Sequence, residues 1–215
     1  FLGEAARKAV ISYECWMESQ EAVRAITARL LGADNDEIAF IKNTSHGISI
    51  VTSGLDWGKG DNVVVFEKEF PSNIYPWLDL KRKGVEVRFI PHKGDRIRLD
   101  DIEGIIDRRT RLVTMSSVQS LNGFMIDLRE LGGLCRSKGV LFFVDAIQSL
   151  GVIPMDVRDC GADFLAADGH TPPLIGRSRA RRRIREVVER DGPVRVAGVV
   201  TAVTRLELYR GERDR

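Results

Sequence analysis

Along the first thirty positions, apolar residues recur at the spacing of a helix, with Ala5, Val10, Trp16, Val23, Ile26 and Leu30 among them. This period predicts a long amphipathic helix over 2–31, and Gly32 is placed to end it. The pattern then changes to short runs rich in Val, Ile and Phe, separated by helical stretches. "EIAFI" (37–41) precedes a helix from about Ser45, and "NVVVF" (62–66) precedes one from about Ser72. "VEVRFI" (85–90) precedes a helix over 99–107, and "RLVTM" (111–115) precedes one at about 127–138. "VLFFVD" (140–145) and "ADFLAA" (162–167) complete the series. Runs apolar on both faces are what a largely parallel, doubly covered sheet requires. Alternating strand and helix therefore predict a three-layer α/β/α domain.

Polar groups directly after these strands are the candidate chemistry, because ligands of open α/β sheets bind beyond the carboxyl ends of the strands. "NTSHG" (43–47) opens a helix, where free N–H groups and the helix dipole suit an anion and Thr44 and Ser45 add hydroxyls. An ordinary N-cap by Thr44 or Ser45 explains the same residues. Phe70 lies in a strand-to-helix loop, suited to stacking on a planar ligand or to tucking into the core. Ser117 and Gln119 end the fourth run, poised to bind a ligand or to turn the chain. Asp145 follows directly on apolar residues, with Gln148 three positions on; buried, its carboxylate needs a cationic or donating partner, unless it caps a following helix. Asp168-Gly169-His170 ends the last strand.

Composition sharpens one boundary. Residues 1–170 carry 21 Lys+Arg against 25 Asp+Glu, whereas residues 171–215 carry 12 against 6, all twelve of them Arg. The break falls just after His170. Three scattered cysteines, Cys15, Cys135 and Cys160, offer neither a metal cluster nor a disulfide framework, and each reads as buried filler. No run is long enough to span a bilayer and no signal peptide is apparent, so a cytoplasmic location is expected. Residue 1 is Phe rather than Met, which points to a fragment or a processed form.

Taken in series, "FIKNTSHGI", "EFPSNIYPW", "SSVQSLNG", "FVDAIQSLGVIPMDV" and "GADFLAADGH" resemble the class V aminotransferases over roughly residues 20–170. These are fold type I enzymes dependent on pyridoxal 5′-phosphate (PLP), and they include cysteine desulfurases and isopenicillin N epimerase-like proteins. The resemblance implies a PLP-binding large domain over 32–170, present only in part, led into by the helix of 1–31. It implies that Thr44, Ser45 and the His46 amide surround the cofactor phosphate. Phe70 matches the position that stacks on the pyridine ring; desulfurases carry an acid–base His there, and Phe cannot move protons, which counts against desulfurase chemistry. Ser117 matches a position near the ring hydroxyl, Asp145 the carboxylate facing the ring nitrogen, and Gln148 a side chain near the ring oxygen. Asp168 falls near the phosphate, and His170 just before the Schiff-base lysine. A buried Asp keeps the ring nitrogen protonated, which makes PLP an electron sink. The implied reaction acts on an amino acid or amine through an external aldimine, in a homodimer, with aminotransferase, lyase, epimerase and desulfurase subtypes left open.

Thr171 stands where the family has its lysine, and residues 171–215 contain no lysine. A hydroxyl cannot form the covalent tether, so no intact catalytic lysine is expected, and neither is activity. A frameshifted tail is the favoured account, since its Arg, Gly, Val, Pro and Ala all come from GC-rich codons. A non-catalytic PLP-binding relative is the second. Nucleic-acid binding through "RSRARRRIRE" is the third and weakest, because no aromatic interleaves the arginines. "VRVAGVVTAVTRLELY" has strand-like alternation to which no function is attached.

Overall fold

The computed structural model describes residues 13–94 and 96–167, together with the backbone of 202–204. Asp168, His170 and Thr171 lie outside the described residues. The strands are β1 (Ile38–Ala39), β2 (Asn62–Phe66), β3 (Glu86–Ile90), β4 (Thr110–Ser116), β5 (Leu141–Asp145), β6 (Phe164–Ala166) and β7 (Ala202–Thr204). They form one sheet in the order β1-β7-β6-β5-β4-β2-β3. β3, β2, β4, β5 and β6 are mutually parallel, and β7 runs antiparallel between β6 and β1.

The helices are α1 (Tyr13–Leu31), α2 (Thr44–Gly54), α3 (Tyr75–Asp79), α4 (Leu99–Glu103), α5 (Leu128–Lys138) and α6 (Val157–Cys160). α1 ends where Gly32 takes φ 68, a left-handed conformation that side chains avoid. α5 is framed by its sequence: the Asp127 carboxylate accepts from the Arg129 and Glu130 amides, and Gly139 closes the other end. Two expectations change and one alternative is settled. The helix after β2 is broken into a 3-10 turn at Pro71–Asn73, then α3, then a second 3-10 turn at Leu80–Lys83. The fourth expected helix stops at Glu103, before Gly104. Of the two readings of Asp145, the helix cap falls: residues 147–152 form turns, and α6 begins only at Val157.

The sheet separates two cores, which is the three-layer arrangement. On one face Val64, Phe66, Val113, Met115, Phe142, Val144 and Leu165 pack with Ala28 and Leu31 of α1, Ile102 of α4 and Leu131 of α5. On the other, Val63, Val65, Leu112, Phe143 and Phe164 pack with Ile48 and Val51 of α2 and with Trp77 and Leu80. Alternate residues of each strand thus feed opposite layers, so the strands are apolar throughout. The amino-terminal rim is closed by polar groups: Thr110 Oγ1 donates to Asn62 Oδ1 (2.8 Å), Asn62 Nδ2 to Asp107 Oδ1 (3.0 Å), and Arg88 Nη1 to Asp107 Oδ2 (2.7 Å).

Candidate functional site

Strand register brings the predicted residues to one rim. Ala39 pairs with Ala202, Ala202 with Ala166, Ala166 with Asp145, and Asp145 with Ser116. One row across the sheet therefore carries the ends of β1, β6, β5 and β4. Because β7 is antiparallel to both neighbours, β1 points the same way as β6, and α2 begins just beyond its end. α2 packs against β6 and against the Pro71–Asn73 turn, which follows Phe70. The start of α2, the Phe70 loop and Asp145 thus face the same carboxyl-terminal edge, where an open α/β sheet holds its ligands.

Asp145 is 1% exposed. Its Oδ1 accepts from the Ile147 amide at 3.0 Å, forming a turn rather than the helix cap considered from sequence. Its Oδ2 is buried with no partner among the described residues. Burial pushes the carboxyl up to about 7, and the neighbouring Glu69 charge adds to the rise against the Ile147 bond. A carboxylate held this way calls for a donor, preferably a cationic one.

Glu69 carries no sign of this role in sequence, where "EKEF" looks like a charged surface loop. In the fold it is 5% exposed and swings under the rim. Its Oε1 accepts from the Ser116 amide (2.6 Å) and from Gln119 Nε2 (2.9 Å), and its Oε2 from the Ser116 hydroxyl (2.5 Å). Gln119, also buried, leaves its Oε1 without a partner among the described residues. No local pattern could have found this cluster, because its members come from loops about fifty residues apart.

At the start of α2, Asn43 is the cap, in place of the Thr44 or Ser45 expected. Its side chain accepts from the His46 amide at 2.9 Å, and its carbonyl from the His46 and Gly47 amides. The His46 amide is therefore already engaged, while its exposed ring accepts from the Lys42 amide. Thr44 is 2% exposed and its Oγ1 is buried without a partner among the described residues. Ser45 is half-buried beside it. Phe70 is 51% exposed at the head of the Pro71–Asn73 turn, an open ring on the rim rather than a core residue. Ser117 is buried; its hydroxyl lies 2.6 Å from that of Ser149 and donates to the Asp145 carbonyl at 3.2 Å, which ties β4 to β5. Gln148 is exposed in the turn after Asp145.

A cavity of about 500 Å³ lies behind this pair of serines, between the start of α5 and the chain leading into α6; Ser117, Ser149, Arg129, Met155 and Asp156 line it. Neither Asp145 nor Thr44 reaches it. Cys135 and Cys160 are buried, and burial pushes the Cys135 thiol up to about 12 and raises that of Cys160, so both are inert filler. Cys15 differs from expectation in being exposed. No His/Cys/Asp/Glu group that could hold a metal occurs among the described residues, and none of their helices is long and apolar enough to cross a membrane.

Comparison with known proteins bears on the family and the fold. A family model described as aminotransferase class V matches residues 3–176. A probable cysteine desulfurase of Methanothermobacter thermautotrophicus is 44% identical over 156 residues, 72% of this chain and 39% of that protein. The chain thus spans about 40% of the length of the curated relatives it matches. The apo structure of a cysteine desulfurase from Thermococcus onnurineus NA1 superposes with TM-score 0.72 at 30% identity, over 87% of this chain and 43% of that one. A mutant of the protein C-DES, with glycine covalently linked to its PLP cofactor, superposes with TM-score 0.72 at 26% identity, over 79% and 47% of the two chains. The mostly parallel α/β sheet is the fold that these neighbours share.

Proposed function

Since the chain belongs to the aminotransferase class V family, we propose that its rim site binds PLP without a covalent tether, as part of an enzyme acting on an amino acid or amine. The observation that carries this reading is the buried Asp145 Oδ2 on the same rim as Thr44 Oγ1 at the start of α2, both without a partner among the described residues. One end of the site wants a cationic N–H and the other wants an anion. A phosphorylated pyridine, protonated on its ring nitrogen, offers both.

The residues present fit that group, and each has a task. Asp145 accepts the proton-bearing ring nitrogen and holds the proton there, at the cost of its own protonation. Thr44 and Ser45 offer hydroxyls, and with their own amides they meet the phosphate at the start of α2, whose dipole favours negative charge. Phe70 covers the ring face and keeps water from it. Gln148 stands in the turn beyond Asp145, free to meet the ring oxygen, and Asp168 and His170 are assigned to the phosphate end and the approach to residue 171. Ser117, bound to Ser149 and to the Asp145 carbonyl, sets the height of Asp145 and reaches a ligand only by exchanging that bond. When bound, the cofactor supplies an electron sink for breaking a bond at the substrate α-carbon.

Relatives named cysteine desulfurases make a sulfur amino acid the first substrate class to test. Phe70 argues for a step that needs no proton transfer from the ring-stacking side chain, as an aromatic hydrocarbon has none to give. Thr171 removes the family's lysine nucleophile, and with it turnover by this chain. The test is borohydride reduction of the PLP-loaded protein followed by peptide mass mapping. No cofactor fixed at residues 168–175 is expected; fixation there would overturn the assignment of Thr171. Reading the gene across codons 168–175 in all three frames tests whether the Arg-rich tail over 171–215 is out of frame. A lysine codon at position 171 in one of the two shifted frames is expected.

A further inference from the structure

Glu69 is a buried carboxylate for which the proposed function finds no use. Its three donors are all supplied by β4 and the loop after it: the Ser116 amide, the Ser116 hydroxyl and Gln119 Nε2. Ser116 is the register partner of Asp145. The clamp therefore joins the Phe70 loop to the strand end that pairs with Asp145, whose Oδ2 has no partner among the described residues. It does so with a charge where a neutral side chain would serve equally well for mechanics. Among the described residues, no cation occurs in the contacts Glu69 makes.

We propose that Glu69 is a positioning residue of the ring-nitrogen site: it locks the Phe70 loop to the strand beside Asp145, and its charge makes that site demand a protonated ring. This rests on the reading of Asp145 as the partner of the ring nitrogen. Two carboxylates close together in a dry site disfavour each other's ionised form, and a cation between or beside them is favoured by both. Around Asp145, β4 presents Ser116 and β6 presents Ala166 at its own level. α5, packed on β5, carries Cys135, whose charged neighbour is Asp163 at the far end of the strands rather than Asp145. Among the described residues, Glu69 is the titratable group that acts on Asp145.

Charge and mechanics separate cleanly in two substitutions. In Glu69→Gln, the amide oxygen still accepts from the Ser116 amide and Gln119, and its NH2 donates to a Ser116 hydroxyl that rotates to accept. The clamp survives and the charge is lost. Glu69→Ala loses both. The probes are pyridoxamine 5′-phosphate (PMP), which has no aldehyde to react with lysines, and its 1-deaza analogue, in which C–H replaces the ring nitrogen. With the full chain, E69Q is expected to weaken PMP binding at pH 7.5 by roughly 3- to 10-fold, the scale of one neighbouring charge, and to leave the deaza analogue unchanged. E69A is expected to weaken both. In the ligand-free protein, the Asp145 carboxyl carbon followed by NMR is expected to titrate at lower pH in E69Q than in wild type.

If E69Q alters neither the PMP-to-deaza ratio nor the Asp145 titration, the proposal is overturned and Glu69 is a structural clamp only. If Asp145→Asn abolishes the preference for PMP while E69Q leaves it intact, the ring-nitrogen reading stands and the role of Glu69 alone is lost. If D145N leaves the preference untouched, the ring-nitrogen reading fails and the role proposed here falls with it.

Discussion

Folding carries the Asp145 carboxyl from water into a site with one amide donor and no other partner among the described residues. The consequence is a pH dependence of definite sign. The unfolded group titrates near 4 and the folded one at about 7, so between these values the native state binds more protons. Its stability therefore falls as pH rises through that window. The ligand-free protein is expected to melt at higher temperature at pH 5 than at pH 7.5. The Asp145 contribution is on the order of 4 kcal/mol at most, and D145N should flatten the slope. Calorimetry of the two proteins across that range checks this. Phe70 gives a second residue-scale test. If its ring stacks on the ligand, Phe70→Ala should weaken PMP by roughly 2- to 10-fold, the value of one aromatic contact, without lowering the melting temperature, because the ring is half in solvent. Asp145 was legible in the sequence because a charge directly after five apolar residues has few explanations. Glu69 was not, because a Glu that follows Glu67 and Lys68 looks solvated until the chain folds over it.

At the scale of elements, the start of α2 and the contact of α5 with α6 are the most exacting. Asn43 holds the His46 amide, and Asn43→Ala should cost about 1 kcal/mol, the usual loss for a helix cap. It should also weaken PMP, because the same turn presents Thr44 and Ser45. Gly132 lies against α6 so closely that a Cβ would run into the Cys160 carbonyl oxygen. Gly132→Ala should therefore destabilise by about 1–3 kcal/mol through overpacking, read as a shifted denaturant midpoint. Strand cores were readable almost to the residue, since a run apolar on both faces has only a buried strand as its home: 62–66 matches β2, and 111–115 lies inside β4. Helix limits after β2 were not. Pro71 and Pro76 interrupt the ladder, and the packing of Trp77 against Phe143, a contact distant in sequence, decides where the helix resumes.

For the whole molecule, the two rims of the sheet respond to acid in opposite ways. Asp107, at the rim away from the site, is held well below the usual carboxylate range, first by Arg88 and then by the Arg109 amide and Asn62. A depressed carboxyl stabilises the fold above its unfolded value and loses that contribution as pH falls below about 4. The order of layers and the parallel sheet followed from alternation alone. The place of β7 did not, because the sequence offers alternation over 194–209 without saying which edges it will meet. Every pairing that β7 makes is through the main chain, and main-chain ladders are indifferent to which side chains the strand carries. β1 and the turn that leads into α2 join the sheet through those three residues. The spacing between the anion end and the ring end of the rim is thus gauged by main-chain pairing to β7. An extended segment of the right length that makes the same main-chain pairings could occupy the place of β7, including a short peptide added from outside to a chain that ends at residue 201.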